Sequence, residues 1–215
     1  YKDDPSLSDE ELAAISTWAR TGTPKGDVAD APEPLVFDDS IKWRAGEPDL
    51  VVVMDNVTKL AGTADWWGEI PSAPTGLTED RYVKSVEVIE VNDVPSSGSG
   101  RETVGGRYIF HHMIWATAQM DENGDRMPGL AIPWPVHEVG RNADIFDEDA
   151  GRLLRAGPWI VSDSVHLHSN GVDTTGHLEI GFTFHDADYK PAYQNAFIGL
   201  GNGVDISIQG NTTDQ

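Results

Sequence analysis

With 215 residues the chain can form one large β domain with a flanking segment, and at that size it needs no disulfide or metal simply to build a core. Its 36 acidic against 15 basic residues leave a net charge of −21, which repels phosphates and anionic lipid and makes nucleic acid and membrane surfaces poor partners. There is no cysteine, so disulfides, thiolate zinc sites, iron–sulfur clusters and covalent haem are excluded within the chain. No apolar run reaches the roughly 18 residues of a membrane span, and no signal peptide opens the sequence. A hydrophobic share of 39%, with 22 Gly and 13 Pro, describes a globular chain rich in turns.

The first predicted element is a helix over Ser6–Arg20. Ser8 and Glu11 have the spacing of a capping box, Asp9 and Glu10 favour the helix N-terminus, and Leu12, Ile15 and Trp18/Ala19 form an apolar stripe. Gly22 suits the position that ends it. Residues 21–40 hold three prolines and few core candidates, which predicts an extended linker. From residue 41 the pattern changes to short strands. Asp49–Met54 is a β-branched run, and Tyr82–Val91 alternates, with Tyr82, Val86 and Val88 on one face and charges opposite. Ser96–Gly100 is a flexible loop. Further strands are expected at Arg107–Thr117, Trp159–His168 and Leu178–Phe184, the last two joined by a turn around Asn170-Gly171. The stretch Asp144–Ala156 has room for one or two helical turns. Strands at this spacing predict an all-β, jelly-roll-like antiparallel β-sandwich, preceded by one N-terminal helix and a Pro-rich linker.

Seven histidines are present, at 111, 112, 137, 166, 168, 177 and 185. His111-His112 stand inside an apolar strand, where two adjacent imidazoles are costly unless they find partners. His166 and His168 lie two apart in a predicted strand and so leave the same face. Neutral imidazole suits copper, zinc, iron or nickel, and three such nitrogens form an open site. Adjacent strand residues point to opposite faces, so His111 and His112 share an ion only where the strand twists, bulges or ends. The bland alternative is one buried and one exposed histidine. Asp163 and Glu138 are candidates to accept a ring N–H in the outer shell.

Arg107–Ile114 resembles the His-His-Met segment of the ascorbate-dependent type II copper monooxygenases, the peptidylglycine alpha-hydroxylating and dopamine beta-monooxygenase family. A bacterial relative fused to a c-type cytochrome is more similar still. Residues 7–27, LSDEELAAISTWARTGTPKGD, resemble the last helix of that cytochrome and the start of its linker. GEPDL at 46–50, Thr75–Val91, residues 137–154 and residues 165–171 resemble successive blocks of the catalytic part. In the family two consecutive histidines bind the first copper and a later His-Tyr strand supplies the third ligand. The resemblance therefore implies His111, His112 and His166 as ligands of one copper per chain, with His168 as the alternative third ligand. It gives His137 a packing or backbone-binding role and leaves Met113 to the core.

The resemblance also implies an organisation: 1–22 as the end of a cytochrome domain, 23–45 as linker, 46–208 as the copper-binding sandwich, and 209–215 as the start of a linker to a second copper domain. Haem c would belong only to an upstream cytochrome region. The partners implied are that cytochrome domain, the C-terminal copper domain and an electron donor. On this reading the chain is a piece of a longer haem–copper protein of the periplasm or cell exterior. It would be the electron-donor domain of a monooxygenase that hydroxylates an organic substrate with O₂. Other readings are a non-catalytic structural or assembly sandwich, a carbohydrate-binding sandwich using Trp66-Trp67, Trp134 and Trp159, and a three-His hydrolytic zinc site. His137-Glu138 is not followed by the second histidine that a His-Glu-x-x-His motif requires.

Overall fold

The structure, a computed structural model, describes residues 5–33 and 42–194. The chain divides into two compact units, Tyr1–Ile41 and Lys42–Gln215. In the first, α1 (Asp9–Arg20) begins at Ser8, whose Oγ accepts from the Glu11 amide at 3.2 Å while Glu11 Oε2 accepts from the Ser8 amide at 2.8 Å. This reciprocal pair is the expected capping box. The helix closes with Gly22 at φ 87° and a bond from the Thr23 amide to the Trp18 carbonyl at 3.0 Å, the left-handed ending that glycine tolerates without steric cost. Leu12, Ile15 and Trp18 are exposed along one face. Part of the expected linker and all of residues 209–215 lie outside the described residues.

In the second unit thirteen strands are described in chain order: β1 (Leu50–Val53), β2 (Val57–Lys59), β3 (Trp66–Gly68), β4 (Ala73–Pro74), β5 (Arg81–Asn92), β6 (Phe110–Ala118), β7 (Ile132–Pro133), β8 (His137–Glu138), β9 (Ala143–Ile145), β10 (Ala150–Leu154), β11 (Trp159–Leu167), β12 (Thr174–Phe184) and β13 (Tyr193–Gln194). One sheet runs β1-β12-β5-β10-β13, with β2 on β12 and β9 on β5; the other runs β3-β11-β6-β7, with β4 on β11 and β8 on β6. Pairing is antiparallel except for the short β10–β13 contact. The inward faces meet in one core: Val83, Val86, Val88, Leu178, Ile180 and Phe182 from the first sheet against Phe110, Met113, Trp115, Ile160, Val165 and Leu167 from the second. The fold is the all-β sandwich expected, with one helix near the N-terminus.

Three expectations are corrected by the structure. Asp144–Ala156 holds no helical turn, because β9 and β10 are drawn into the first sheet against β5; Arg152 pairs with Val83 and Asp144 with Val86. The strand expected from Arg107 starts only at Phe110, because Val104–Arg107 form a short helical turn, α2, capped by Thr103. The polar face expected on β5 is also not free. Glu87 is buried, its carboxylate accepting from the Arg44 and Ala45 amides at 3.1 and 2.9 Å beside buried Trp43. Acidic residues read as surface charges here hold backbone donors instead.

Candidate metal centre

The centre forms where β6 and β11, the central pair of the second sheet, depart from regular register. His112 lies opposite His166, but the next pair is Phe110 with Leu167, so His111 is an extra residue on its strand. A β-bulge of this kind puts two residues against one and re-aims a side chain. The bulge lets adjacent histidines share a site that a regular pleat would divide between two faces. The His111 carbonyl is satisfied by the Val139 amide at 2.9 Å, and β8 pairs Glu138 with His112 and His137 with Met113. Since Val165 and Leu167 enter the core, His166 between them faces outward. The cluster therefore sits on the outer face of the sheet, away from the sandwich interior.

His111, His112 and His166 each offer a ring nitrogen, and the three nitrogens lie within 4.8 Å of one another. The ring centroids are 4.8 to 4.9 Å apart. His111 Nδ1 and His112 Nδ1 approach to 2.8 Å. Two nitrogens about 2.0–2.1 Å from one first-row ion, at angles of about 90–110°, would stand roughly 2.8–3.4 Å apart. His166 Nδ1 is buried and has no hydrogen-bond partner, while its Nε2 is paired with Asp65 Oδ2 at 2.8 Å. An imidazole oriented by a carboxylate on one nitrogen, with the other left bare toward two more imidazoles, is the arrangement of a metal-binding histidine and its outer-shell partner. The donor set is three neutral nitrogens, which suits copper or zinc and gives no preference to a hard, oxygen-seeking cation.

The electrostatics of His112 agree with a neutral ligand. The His112 pKa is held below the usual imidazole value, first by burial and then by the neighbouring His166 and His111 rings. Asp65 stays below the usual carboxylate range because of its hydrogen bond with His166. Trp67, opposite His166 on β3, stacks on that ring at 4.0 Å and 7° and meets the His112 ring edge-on at 4.9 Å. It is 56% exposed, so one indole face covers the centre and the other meets solvent.

The remaining histidines lie elsewhere or do other work. His168 is outside the trio; its Nε2 donates to the Tyr108 carbonyl at 2.8 Å. His137 is buried behind the sheet, and burial pushes its pKa down to about 4. His177 pairs with Asn56, and His185 stacks on Tyr189. Met113 is in the core. Neither expected outer-shell acid holds a ligand ring: Asp163 pairs with Arg126 at 2.5 Å, and Glu138 meets His112 through the strand pairing. Asp65 takes that place. It lies 101 residues from His166, just before β3 and without a motif, so only the topology joins them. Trp134 is buried and donates to Thr117, so it cannot present its face to a ligand. The chain matches no family model, no curated protein and no solved structure.

Proposed function

We propose that the sandwich is a three-histidine, mononuclear copper domain serving electron transfer, the electron-donor part of an ascorbate-dependent type of copper monooxygenase. The observation that carries this reading is the bare, buried Nδ1 of His166 beside the close His111–His112 nitrogen pair, with Asp65 behind the ring. When bound, copper supplies a one-electron couple. The protein's part is to hold three uncharged donors that tolerate both oxidation states. His111 and His112 converge through the bulge, Asp65 fixes the His166 tautomer and ring plane, and Trp67 screens one side of the trio. Among the described residues no second histidine cluster is present, so the hydroxylating chemistry belongs to a partner domain on this reading.

A competing reading, a scaffold without metal, is favoured by one feature: the His111–His112 contact can be a hydrogen bond if one ring donates and the other accepts. That reading leaves His166 Nδ1 unsatisfied. The test is copper stoichiometry by elemental analysis, Cu(II) EPR, and reversible bleaching of the EPR signal by ascorbate. One copper per chain with nitrogen hyperfine structure and redox cycling supports the proposal. Absence of copper after loading in both oxidation states contradicts it, and one tightly held zinc with no copper redox cycle moves the assignment to a zinc site.

A further inference from the structure

Glu90 lies on β5, in the opposite sheet from the histidines. It shares the inward face with Val86 and Val88, and its cross-strand neighbour is the buried core residue Leu178. A carboxylate there is costly to desolvate, and burial raises its pKa above the usual carboxylate value. Its oxygens take up backbone donors of the other sheet. Oε1 and Oε2 accept from the Ile109 amide at 3.0 and 3.1 Å, and Oε2 accepts from the Phe110 amide at 2.9 Å. Asn92 Nδ2 donates to Oε1 at 2.5 Å and also to the Arg107 carbonyl at 2.9 Å.

These bonds fall on the residues that lead into the bulge. The Arg107 carbonyl is held by Asn92 and Asn170, the Tyr108 carbonyl by His168, the Ile109 and Phe110 amides by Glu90, and the Ile109 carbonyl by the His168 amide. Every residue from 107 to 110 is thus tied before the chain reaches His111. The ladder is disrupted immediately beyond these residues, and a side chain from across the core is the acceptor for two amides on the approach. We infer that Glu90 is a positioning residue of the three-histidine centre: its carboxylate clamps the approach to the bulge and so sets the convergence of His111 and His112. The inference rests on the metal-centre reading for its consequence, but the clamp itself concerns the protein alone.

Glu87 supplies a control. It is a buried carboxylate on the same strand as the part-buried Glu90 and also accepts from two backbone amides, but those belong to Arg44 and Ala45. The experiment compares Glu90→Gln with Glu87→Gln in the full chain, using Zn(II) affinity and amide hydrogen exchange of the metal-free protein. Glu90→Gln should weaken Zn(II) binding about tenfold, the lower end of the range for outer-shell changes, and should speed exchange at residues 109–112. Glu87→Gln should lose comparable thermal stability yet leave both readouts within about twofold of the wild type. Equal effects of the two variants, or unchanged exchange at 109–112 in Glu90→Gln, would overturn the inference. If Glu90→Gln does not fold, Asn92→Ser removes the amide that bonds both the Glu90 carboxylate and the Arg107 carbonyl and must shift both readouts in the same direction, and no shift would overturn the clamp. If the wild type binds no Zn(II), the exchange result alone decides the clamp, and the failure falls on the metal-centre reading.

Discussion

The two long strand pairs at the centre of the sandwich are built to different standards. In the first sheet β5 and β12 stay in register from Asn92–Gly176 to Ser85–Thr183, with one shift only at the far end. In the second sheet β6 and β11 slip twice, between Ser162 and Ser164 and between His166 and Leu167. The regular pair contributes Val86, Val88, Leu178, Ile180 and Phe182 to the core and has no histidine trio. The irregular pair also feeds the core, but its second slip creates the histidine cluster. One sheet carries continuity, and the other gives up ladder regularity to converge three side chains. Its cost is reduced because backbone groups at and just before the slip find partners in Val139, Glu90 and His168.

That contrast breaks most directly at Phe182, which is fully buried and packs its ring against Trp115 and Trp134. Phe182→Ala should cost about 3–5 kcal/mol by urea denaturation, while the metal affinity of the folded fraction stays that of the wild type. A large loss of affinity would show that the two sheets are not separable in function.

The second prediction concerns pH. Because burial lowers the folded-state pKa of His137 to about 4, from an ordinary value of 6.5, the unfolded chain binds the extra proton between those values. Stability contributed by keeping this ring neutral is therefore complete above pH 6.5 and is lost as pH falls toward 4. The loss is on the order of 3 kcal/mol for a single group. A His137→Phe variant that remains folded should flatten this part of the stability profile measured by chemical denaturation. An unchanged slope would remove His137 from the account.

Two smaller effects sharpen the comparison within the second sheet. Asp65→Asn should weaken metal binding about tenfold to a hundredfold, as loss of an outer-shell carboxylate does, while thermal stability barely changes; a competition titration with a chromophoric chelator reads this. Asp163→Ala removes the ion pair to Arg126 at the other slip of β11. It should change stability by less than ~1 kcal/mol and leave metal binding untouched. Together they ask whether only the slip beside His166 is functional.

How much of this was legible in sequence follows the same division. The capping box of α1, the β-branched run of β1 and the long strands β5, β11 and β12 are local patterns and could be read without tertiary information. Asp144–Ala156 had room for helical turns, and only pairing with β5 makes β9 and β10 extended. The adjacent histidines stated a problem, two imidazoles on an apolar strand, together with the condition for sharing an ion. Whether a bulge met that condition depended on β11. Asp65, Trp67 and Glu90 reach the centre from loop and strand positions distant in sequence, where an aspartate, a tryptophan and a glutamate carry no pattern of their own. Contacts made by topology leave little trace in spacing.

The most direct test of the central claim is X-ray absorption on copper-loaded protein, counting imidazole ligands in the wild type and in His166→Ala. Three imidazoles at about 2.0 Å are expected in the wild type and two in the variant, with copper bound more weakly. Two imidazoles in both proteins, or copper that binds the variant as tightly, would mean that the bulge gathers His111 and His112 without making a centre with His166.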